Sequence, residues 1–517
     1  MLGLIIAAIV GEYILISPPA LTDNWSSYIN ERKIAHPEID FKLVNSFDIY
    51  NAYPFKGWVK EGVTIEDDTY LNAAESIHKY IRTNRRNDGI EQYYVLGGPW
   101  IDAENNVNNW EHAEKGPISF VTGETMSLNN AIPGVYALPR AGQFDYLVVP
   151  GDLFYACLDL TVGGTTLTHP WRIEGETKYF SSSANSSIVD LKPDVVVSRM
   201  PFVPWTIGDK TLSIPEEIAA YGNKVKAVES PTFAGRYRYV GVFSVFGSGT
   251  LDNLEGVKAA QKPDILGEGY YTLSDANHPT PYSDMELGAR WRFINWIYPH
   301  TRVKESILAG MPKWENEESA EEGERKFKTY NIDALFGNDW EAVFTKSHGE
   351  PEEYQNTGVT RERFLNSKKL CKFILSPMTC LTGRPDYCIV DESPMGGQEE
   401  REPLVAAPSI SAAALLNPNG GDVAGIHNGR EGLGVDTPLN VANCEDGSST
   451  EIETYIFEEL FAKGANIGTA WKRALSKYHD SHEKIAEEAA WVAIQEFLYG
   501  DPLLKIAKPQ APTIMVR

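Results

Sequence analysis

Two residues with complementary chemistry end two successive apolar runs of this chain. His348 follows residues 341–347, and Cys380 follows residues 373–379. A thiol with an imidazole base beside it is the arrangement that nucleophilic catalysis by cysteine requires. Each residue alone is a weak signal, because His-Gly pairs are common in turns and apolar-flanked cysteines are usually buried and inert. Together they define a candidate catalytic dyad.

The spacing of the two residues indicates how the fold would bring them together. They are 380 − 348 = 32 residues apart, about the length of a strand–helix–strand crossover. Residues 361–370 have the pattern of the connecting helix. Strands joined in this way run parallel, and their carboxyl ends open at the same edge of the sheet, where α/β proteins hold ligands. The spacing therefore predicts that His348 and Cys380 face one crevice.

Length and composition limit the classes of function. A chain of 517 residues can bury a large core and divide into two or three packed units. Its formal net charge is −24 and its isoelectric point is about 4.9. These values argue against nucleic acid or an anionic membrane as a partner and fit cationic ligands. The five cysteines form no C-x-x-C pair and no zinc-like spacing, so neither a metal knot nor a dense disulfide framework is predicted.

The amino-terminal segment does not decide the compartment. Residues 1–10 are apolar but have no basic segment before them, so a signal peptide is unconvincing and an edge strand is at least as good an interpretation. No later apolar run is long enough to span a bilayer, so membrane insertion is not predicted.

Strand-like and helix-like segments alternate along the chain, which predicts a parallel, doubly wound α/β sheet. Residues 102–133 have the composition of an inserted loop region. Strands are predicted at residues 12–17, 41–45, 93–96, 146–150, 194–197, 239–243 and 422–426, and before His348 and Cys380. Helices are predicted at residues 22–34, 68–84, 286–298, 361–370, 409–416, 451–463, 468–478 and 484–498.

A series of short motifs resembles the gingipain-type cysteine peptidases, relatives of caspases and legumains. That family carries its base in a strand-terminal His-Gly and its nucleophile one strand later, as at His348-Gly349 and Cys380. Their order, from about residue 12 to residue 505, is more specific than any single match. The other matching segments are 94–98, 138–140, 150–159, 197–201, 380–383, 415–421 and 499–503.

The resemblance implies a caspase-like, parallel-sheet α/β sandwich in two packed subdomains. Residues 1–200 would form subdomain A and carry part of the specificity pocket, and residues 201–510 would form the catalytic subdomain B. It also implies that Cys380 is the nucleophile, that His348 is the general base, and that the backbone N–H groups of Gly349 and Cys380 form the oxyanion hole. Loss of one such donor typically costs ~10²–10³-fold in rate.

The same resemblance suggests which residues bind substrate. Asp152 aligns with the family aspartate at the bottom of the S1 pocket, which predicts cleavage after Arg or Lys, because a buried carboxylate needs a cationic partner. His427 and Asn428 follow the next strand and would wall this pocket. Pro377, within the run before Cys380, is unusual for a central strand because it removes a ladder donor.

These observations lead to a cysteine endopeptidase acting on a protein or peptide substrate. Two alternatives stay open: a transpeptidase or maturation enzyme of the same fold, and a catalytically silent binding or assembly module. No organic cofactor is predicted, and the resemblance allows a structural Ca²⁺ although no contiguous calcium motif is present. The family suggests an extracellular or cell-surface location, a cytoplasmic one stays open, and the oligomeric state is not determined.

Overall fold

One ten-stranded sheet runs through the centre of the molecule. Its strands are β1 Gly11–Ser17, β2 Ile39–Asn45, β3 Glu91–Leu96, β4 Val196–Arg199, β5 Arg238–Phe243, β6 Glu305–Leu308, β7 Trp340–Lys346, β8 Cys371–Ser376, β9 Ala424–Asn428 and β10 Glu496–Gly500. The computed structural model describes residues 9–54, 58–60, 63–65, 69–102, 127–137, 149–158, 160–162, 165–167, 191–202, 205–207, 210–243, 305–308, 335–346, 349–354, 358–377, 379–385, 408–430, 432, 449–481 and 487–508.

The strand order in the sheet is β6-β5-β7-β8-β9-β10-β4-β3-β1-β2. Only the β9–β10 pair is antiparallel, and the other neighbouring pairs are parallel. The predicted doubly wound, mostly parallel sheet is therefore confirmed. Strands from before and after residue 200 meet where Arg199 of β4 pairs with Tyr499 of β10. The subdomain boundary at residue 200 stays a prediction.

Helices are distributed along the chain between the strands. They are α1 Thr22–Ala35, α2 Ser46–Ala52, α3 Thr69–Thr83, α4 Leu153–Ala156, α5 Ile214–Glu229, α6 Arg361–Asn366, α7 Ile410–Leu416, α8 Ser449–Phe457, α9 Ile467–Ser481 and α10 Glu487–Ile494, with a 3₁₀ turn at Pro19–Leu21 and a π-helical turn at Glu458–Ala462. Short two-stranded ribbons pair Trp58–Lys60 with Val63–Ile65, Trp100–Asp102 with Ile132–Gly134, Tyr136–Ala137 with Val149–Pro150, Leu160–Val162 with Thr165–Leu167, Trp205–Ile207 with Lys210–Leu212, and Glu353–Tyr354 with Val359–Thr360.

Local sequence explains why these elements form where they do. All seven residues of β1 are buried, as expected for a parallel strand that is covered on both faces. Helix α5 begins after Ser213, whose backbone N–H donates to the carboxylate of Glu216 at 2.9 Å, and a proline occupies its first turn. Both features satisfy or avoid amide donors that a helix amino terminus leaves unpaired.

The crossover between β7 and β8 has the predicted form. The two strands are parallel neighbours, and Trp340 pairs with Cys371. Helix α6 lies between them in the sequence, and the side chain of Thr360 accepts the backbone N–H of Arg363 at its start. It ends at Asn366, earlier than the predicted residue 370, because Cys371 already begins β8. The carboxyl ends of β7 and β8 thus open at one edge of the sheet.

Some predicted elements differ from the structure. Residues 484–498, predicted as one helix, contain α10 followed by the antiparallel strand β10. The apolar run there fits the residue spacing of a buried helix and of a buried strand equally, and only pairing with β9 makes its second half a strand. Pro377 lies just after β8, so it removes no donor from that strand. The predicted helix 286–298 and most of the predicted loop region 102–133 lie outside the described residues.

A buried charged cluster links elements from before and after residue 200. Arg32 of α1 forms an ion pair with Asp501, with 2.8 Å between Nε and Oδ2, and hydrogen-bonds Glu229 at the end of α5. Tyr28 donates to Asp501 at 2.6 Å, and His36 contacts Glu229 at 3.0 Å. Burial would raise the pKa of Glu229, but the His36 and Arg32 partners outweigh it and lower the pKa to about 2. These two partners therefore hold the carboxylate of Glu229 ionised.

We expect Asp501→Asn to lower the free energy of unfolding by ~3–5 kcal/mol, because it leaves the guanidinium of Arg32 buried without its full counter-charge. Chemical denaturation of both proteins measures the difference. Asp480→Asn is the matched control, since Asp480 pairs with Lys192 at the surface, where both side chains are about half exposed. That change should cost no more than about 1 kcal/mol. Equal effects of the two substitutions on the free energy of unfolding would contradict the buried ion pair between Arg32 and Asp501.

Candidate active site

Cys380 lies just beyond the carboxyl end of β8, in a turn that we call the Cys380 turn (residues 379–383). The turn begins where the backbone N–H of Thr379 donates to the carbonyl of Ser376 at 3.2 Å. Cys380 is a partly exposed residue, whereas Cys157 and Cys371 are buried. Among the cysteines that the structure describes, Cys380 alone reaches solvent. A nucleophile must be accessible, so this position fits the predicted role.

The backbone of the turn is held in an unusual conformation. Leu381, directly after the cysteine, has a φ of 59°. This left-handed conformation costs a non-glycine residue roughly 1–2 kcal/mol. Two backbone bonds to the end of β9 and the residues after it hold the turn: Leu381 N–H donates to the carbonyl of Arg430 at 2.9 Å, and Gly383 N–H donates to the carbonyl of Asn428 at 2.8 Å. Such strained residues cluster at functional sites.

A backbone donor points at the sulfur. The N–H of Gly432 donates to Sγ of Cys380 at 3.3 Å. A hydrogen bond to sulfur favours the thiolate over the thiol, and the thiolate is the nucleophilic form. The segment after β9 therefore contacts both the backbone of the turn and its sulfur.

His348 lies outside the described residues, and its neighbour Gly349 packs directly on the Cys380 turn. A Cβ atom at Gly349 would lie 2.3 Å from the carbonyl oxygen of Cys380 and 2.6 Å from Cγ2 of Thr379. Only glycine allows this approach without displacement. The chain next to His348 thus reaches the Cys380 turn, as the spacing predicted for the two strand ends. The contact between imidazole and thiol, and the oxyanion hole at Gly349, stay predictions.

Asp152 is buried in a two-pronged ion pair with Arg199 of β4. The guanidinium donates to the two carboxylate oxygens at 2.7 Å and 2.6 Å. It also donates to the carbonyls of Ile132 at 3.2 Å and Pro133 at 3.4 Å. The charge of Asp152 is therefore already compensated within the chain. A cationic substrate side chain would have to displace Arg199 to use it, and this argues against Asp152 as the residue that selects P1.

His427 and Asn428 lie in β9 and are fully buried. Nδ1 of His427 is 2.7 Å from Oγ of Ser376. Burial lowers the pKa of this histidine despite the nearby Asp422, so the ring is neutral near pH 7. The structure places both residues behind the Cys380 turn, away from solvent, and substrate contact by either one stays a prediction. Sequence analysis did not single out Ser376 or Asp422, although Ser376 is a polar residue within the apolar run before Cys380.

Within the described part of the chain, no group of three or more His, Cys, Asp or Glu side chains is arranged to hold a metal ion. The structural calcium stays a prediction. No helix among the described residues has the length and apolar character needed to cross a bilayer.

Comparisons with known proteins agree with this geometry. A family model described as Peptidase family C25 matches residues 8–507. The Arg-specific cysteine proteinase gingipain R (RgpB) has a similar structure, with a TM-score of 0.52 and 12% identity over 96% of this chain and 79% of the other. The complex of the pro- and mature domains of RgpB from Porphyromonas gingivalis is also similar, with a TM-score of 0.50 and 12% identity; the match covers 96% of this chain and 80% of the other. No curated protein sequence matches. The predicted caspase-like α/β fold is confirmed.

We expect Gly349→Ala to lower the free energy of unfolding by ~1–3 kcal/mol, because the added methyl group would overlap the carbonyl of Cys380. Gly337→Ala is the matched control, since a Cβ there meets no atom of the described residues within 4 Å. Chemical denaturation of the two variants gives the comparison. If Gly349→Ala is no more destabilising than Gly337→Ala, the chain next to His348 does not pack on the Cys380 turn as described.

Proposed function

The chain belongs to Peptidase family C25, and we propose that it is a cysteine endopeptidase with Cys380 as its nucleophile and His348 as its general base. The gingipain-type resemblance predicted from the order of the motifs is confirmed by the family match. The observation that carries the proposal is the position of Cys380, a partly exposed residue at the edge where the parallel strands β7 and β8 end.

In the proposed reaction the thiolate of Cys380 attacks the carbonyl carbon of a peptide bond and forms a carbon–sulfur bond. The negative charge on the carbonyl oxygen is stabilised by the backbone N–H groups of Gly349 and Cys380. The tetrahedral intermediate collapses, the carbon–nitrogen bond breaks, and His348 gives its proton to the leaving amine. Water, deprotonated by His348, then hydrolyses the thioester and regenerates the thiol.

The structure supports two parts of this mechanism. The strained turn after the nucleophile and its bonds to Arg430 and Asn428 fix the direction of the peptide units around Cys380. The donor at Gly432 favours the charged form of the sulfur before substrate arrives. Fixed donors and a nucleophile held in place are worth more to the rate than mobile ones, because no reorganisation is needed during the reaction.

Labelling with an acyloxymethyl-ketone peptide probe tests the nucleophile. We expect the probe to modify Cys380 in the native protein and to leave Cys380→Ala unlabelled, with turnover reduced at least ~10³-fold, since loss of a nucleophile removes the covalent step. Cys371→Ala is the control and should keep the label, because that thiol is buried.

The same samples separate the alternatives. A peptide joined to an added amine, detected by mass spectrometry, would indicate transpeptidation in place of hydrolysis. A native protein that is folded but neither labelled nor active would contradict the peptidase proposal and support a silent binding module.

A preference for Arg or Lys at P1 also stays a prediction. A positional-scanning peptide library on the native protein measures it, and we expect basic P1 residues to give the highest kcat/KM. Because Arg199 already neutralises Asp152, Asp152→Asn should lower stability and leave the ratio of basic to neutral P1 substrates unchanged. A fall of more than about 10-fold in that ratio would instead place Asp152 in the pocket. No preference for basic residues would end the specificity prediction.

A further inference from the structure

A row of buried polar side chains lies directly beneath the Cys380 turn. Oγ of Ser376, the last residue of β8, is 2.7 Å from Nδ1 of His427 and 3.3 Å from Oγ1 of Thr382. Thr382 in turn donates to the carbonyl of Thr379 at 3.0 Å. On the other side of the ring, Nε2 of His427 is 3.8 Å from a carboxylate oxygen of Asp422. The row therefore runs from Asp422 through His427 into the turn.

His427 contacts the chain on both sides of the nucleophile. Its ring meets Ser376 before the turn. At the other end of the turn, a Cβ at Gly383 would lie 2.5 Å from Cβ of His427, so these two residues pack directly against each other. Tyr499, whose ring centroid is 5.7 Å from that of His427, donates to the carbonyl of Gly383 at 2.5 Å. The two ends of the turn are thus anchored on the same histidine.

The carboxyl group of Asp422 lies behind His427. Asp422 is buried, and neither oxygen of its side chain has a hydrogen-bond partner among the residues that the structure describes. With the proton on Nε2, which faces this group, a neutral ring leaves Nδ1 to accept from the hydroxyl of Ser376. Burial disfavours a second proton on the ring.

Lys224 of α5 holds Asp422 in place from below. Its Nζ donates to the carbonyls of Asp422 at 2.9 Å, Leu415 at 2.7 Å and Gly420 at 3.1 Å. These bonds fix the loop between α7 and β9, from which Asp422 projects. The position of Asp422 behind His427 is therefore held by hydrogen bonds from helix α5.

We propose that His427 is a positioning residue of the active site, which fixes the Cys380 turn through Ser376 and does not contact substrate. This rests on the proposed peptidase function. A nucleophile and its oxyanion donors must be held to within roughly 0.5 Å of the productive geometry, so the anchoring of the turn bears on the rate of reaction and not on substrate binding.

Three substitutions test the proposal. His427→Asn keeps a polar atom near the position of Nδ1 but loses ring volume, His427→Phe keeps ring volume but loses the hydrogen bond, and Ser376→Ala removes the partner. We expect His427→Phe and Ser376→Ala to lower kcat by about 10-fold or more with KM within about 2-fold of the native value. His427→Asn should keep a larger share of kcat than His427→Phe. A residue that only fills space would give the reverse order of the two histidine variants.

Hydrogen exchange, followed by mass spectrometry, gives a readout that does not depend on turnover. Peptides covering the Cys380 turn should exchange faster in His427→Phe and Ser376→Ala than in the native protein, and close to native in His427→Asn. The exchange rates of peptides from β1 should not change, which shows that each variant is folded. If His427→Phe does not fold, the exchange of the Cys380 turn in Ser376→Ala tests the proposal alone.

The outcomes separate this inference from the proposed function. A rise in KM with unchanged kcat would make His427 a substrate contact and overturn the inference, as would native exchange of the turn in both His427→Phe and Ser376→Ala. If the native protein neither cleaves peptides nor takes the probe, the peptidase proposal fails, and the exchange data still show whether His427 holds the turn.

Discussion

The parallel pairing of β7 with β8 is the constraint on which the site depends. It places the end of each strand at the same edge of the sheet, so that Gly349 contacts the Cys380 turn although the two lie far apart in the sequence. Parallel strands need a long crossover and are buried on both faces, which explains the near-continuous apolar character of the two runs. Backbone pairing thus sets where the two strand ends meet, and the side chains at those ends supply the chemistry.

Some buried polar groups of this protein join elements of the fold, and others lie beneath the Cys380 turn. Arg199 and Asp152 satisfy each other within the amino-terminal half of the sheet, and Arg32 with Asp501 does the same where α1 meets the end of β10. Such pairs specify one arrangement of the surrounding elements, because removing either partner leaves a charge unpaired in the interior. The row from Asp422 to Thr382 lies beneath the Cys380 turn instead, and there the same physics restricts the geometry of the turn.

Much of the architecture was predictable because it follows local pattern. The alternation of strands and helices and the crossover between β7 and β8 agree with the sequence analysis. β10 was missed because an apolar segment of this length has no period that separates a buried strand from a buried helix. Its antiparallel pairing with β9 is a tertiary choice.

The sequence by itself determined which residue types stand at the strand ends, and therefore the class of chemistry that this edge of the sheet can perform. It did not determine which side chains pair with one another in the folded protein. Whether Asp152 faces a substrate or Arg199, 47 residues further along the chain, depends on which side chains the packed strands bring within hydrogen-bond distance. The same holds for His427, which a local pattern places near the site and only the burial of β9 places behind it. Side-chain partners are long-range contacts, and no local spacing encodes them.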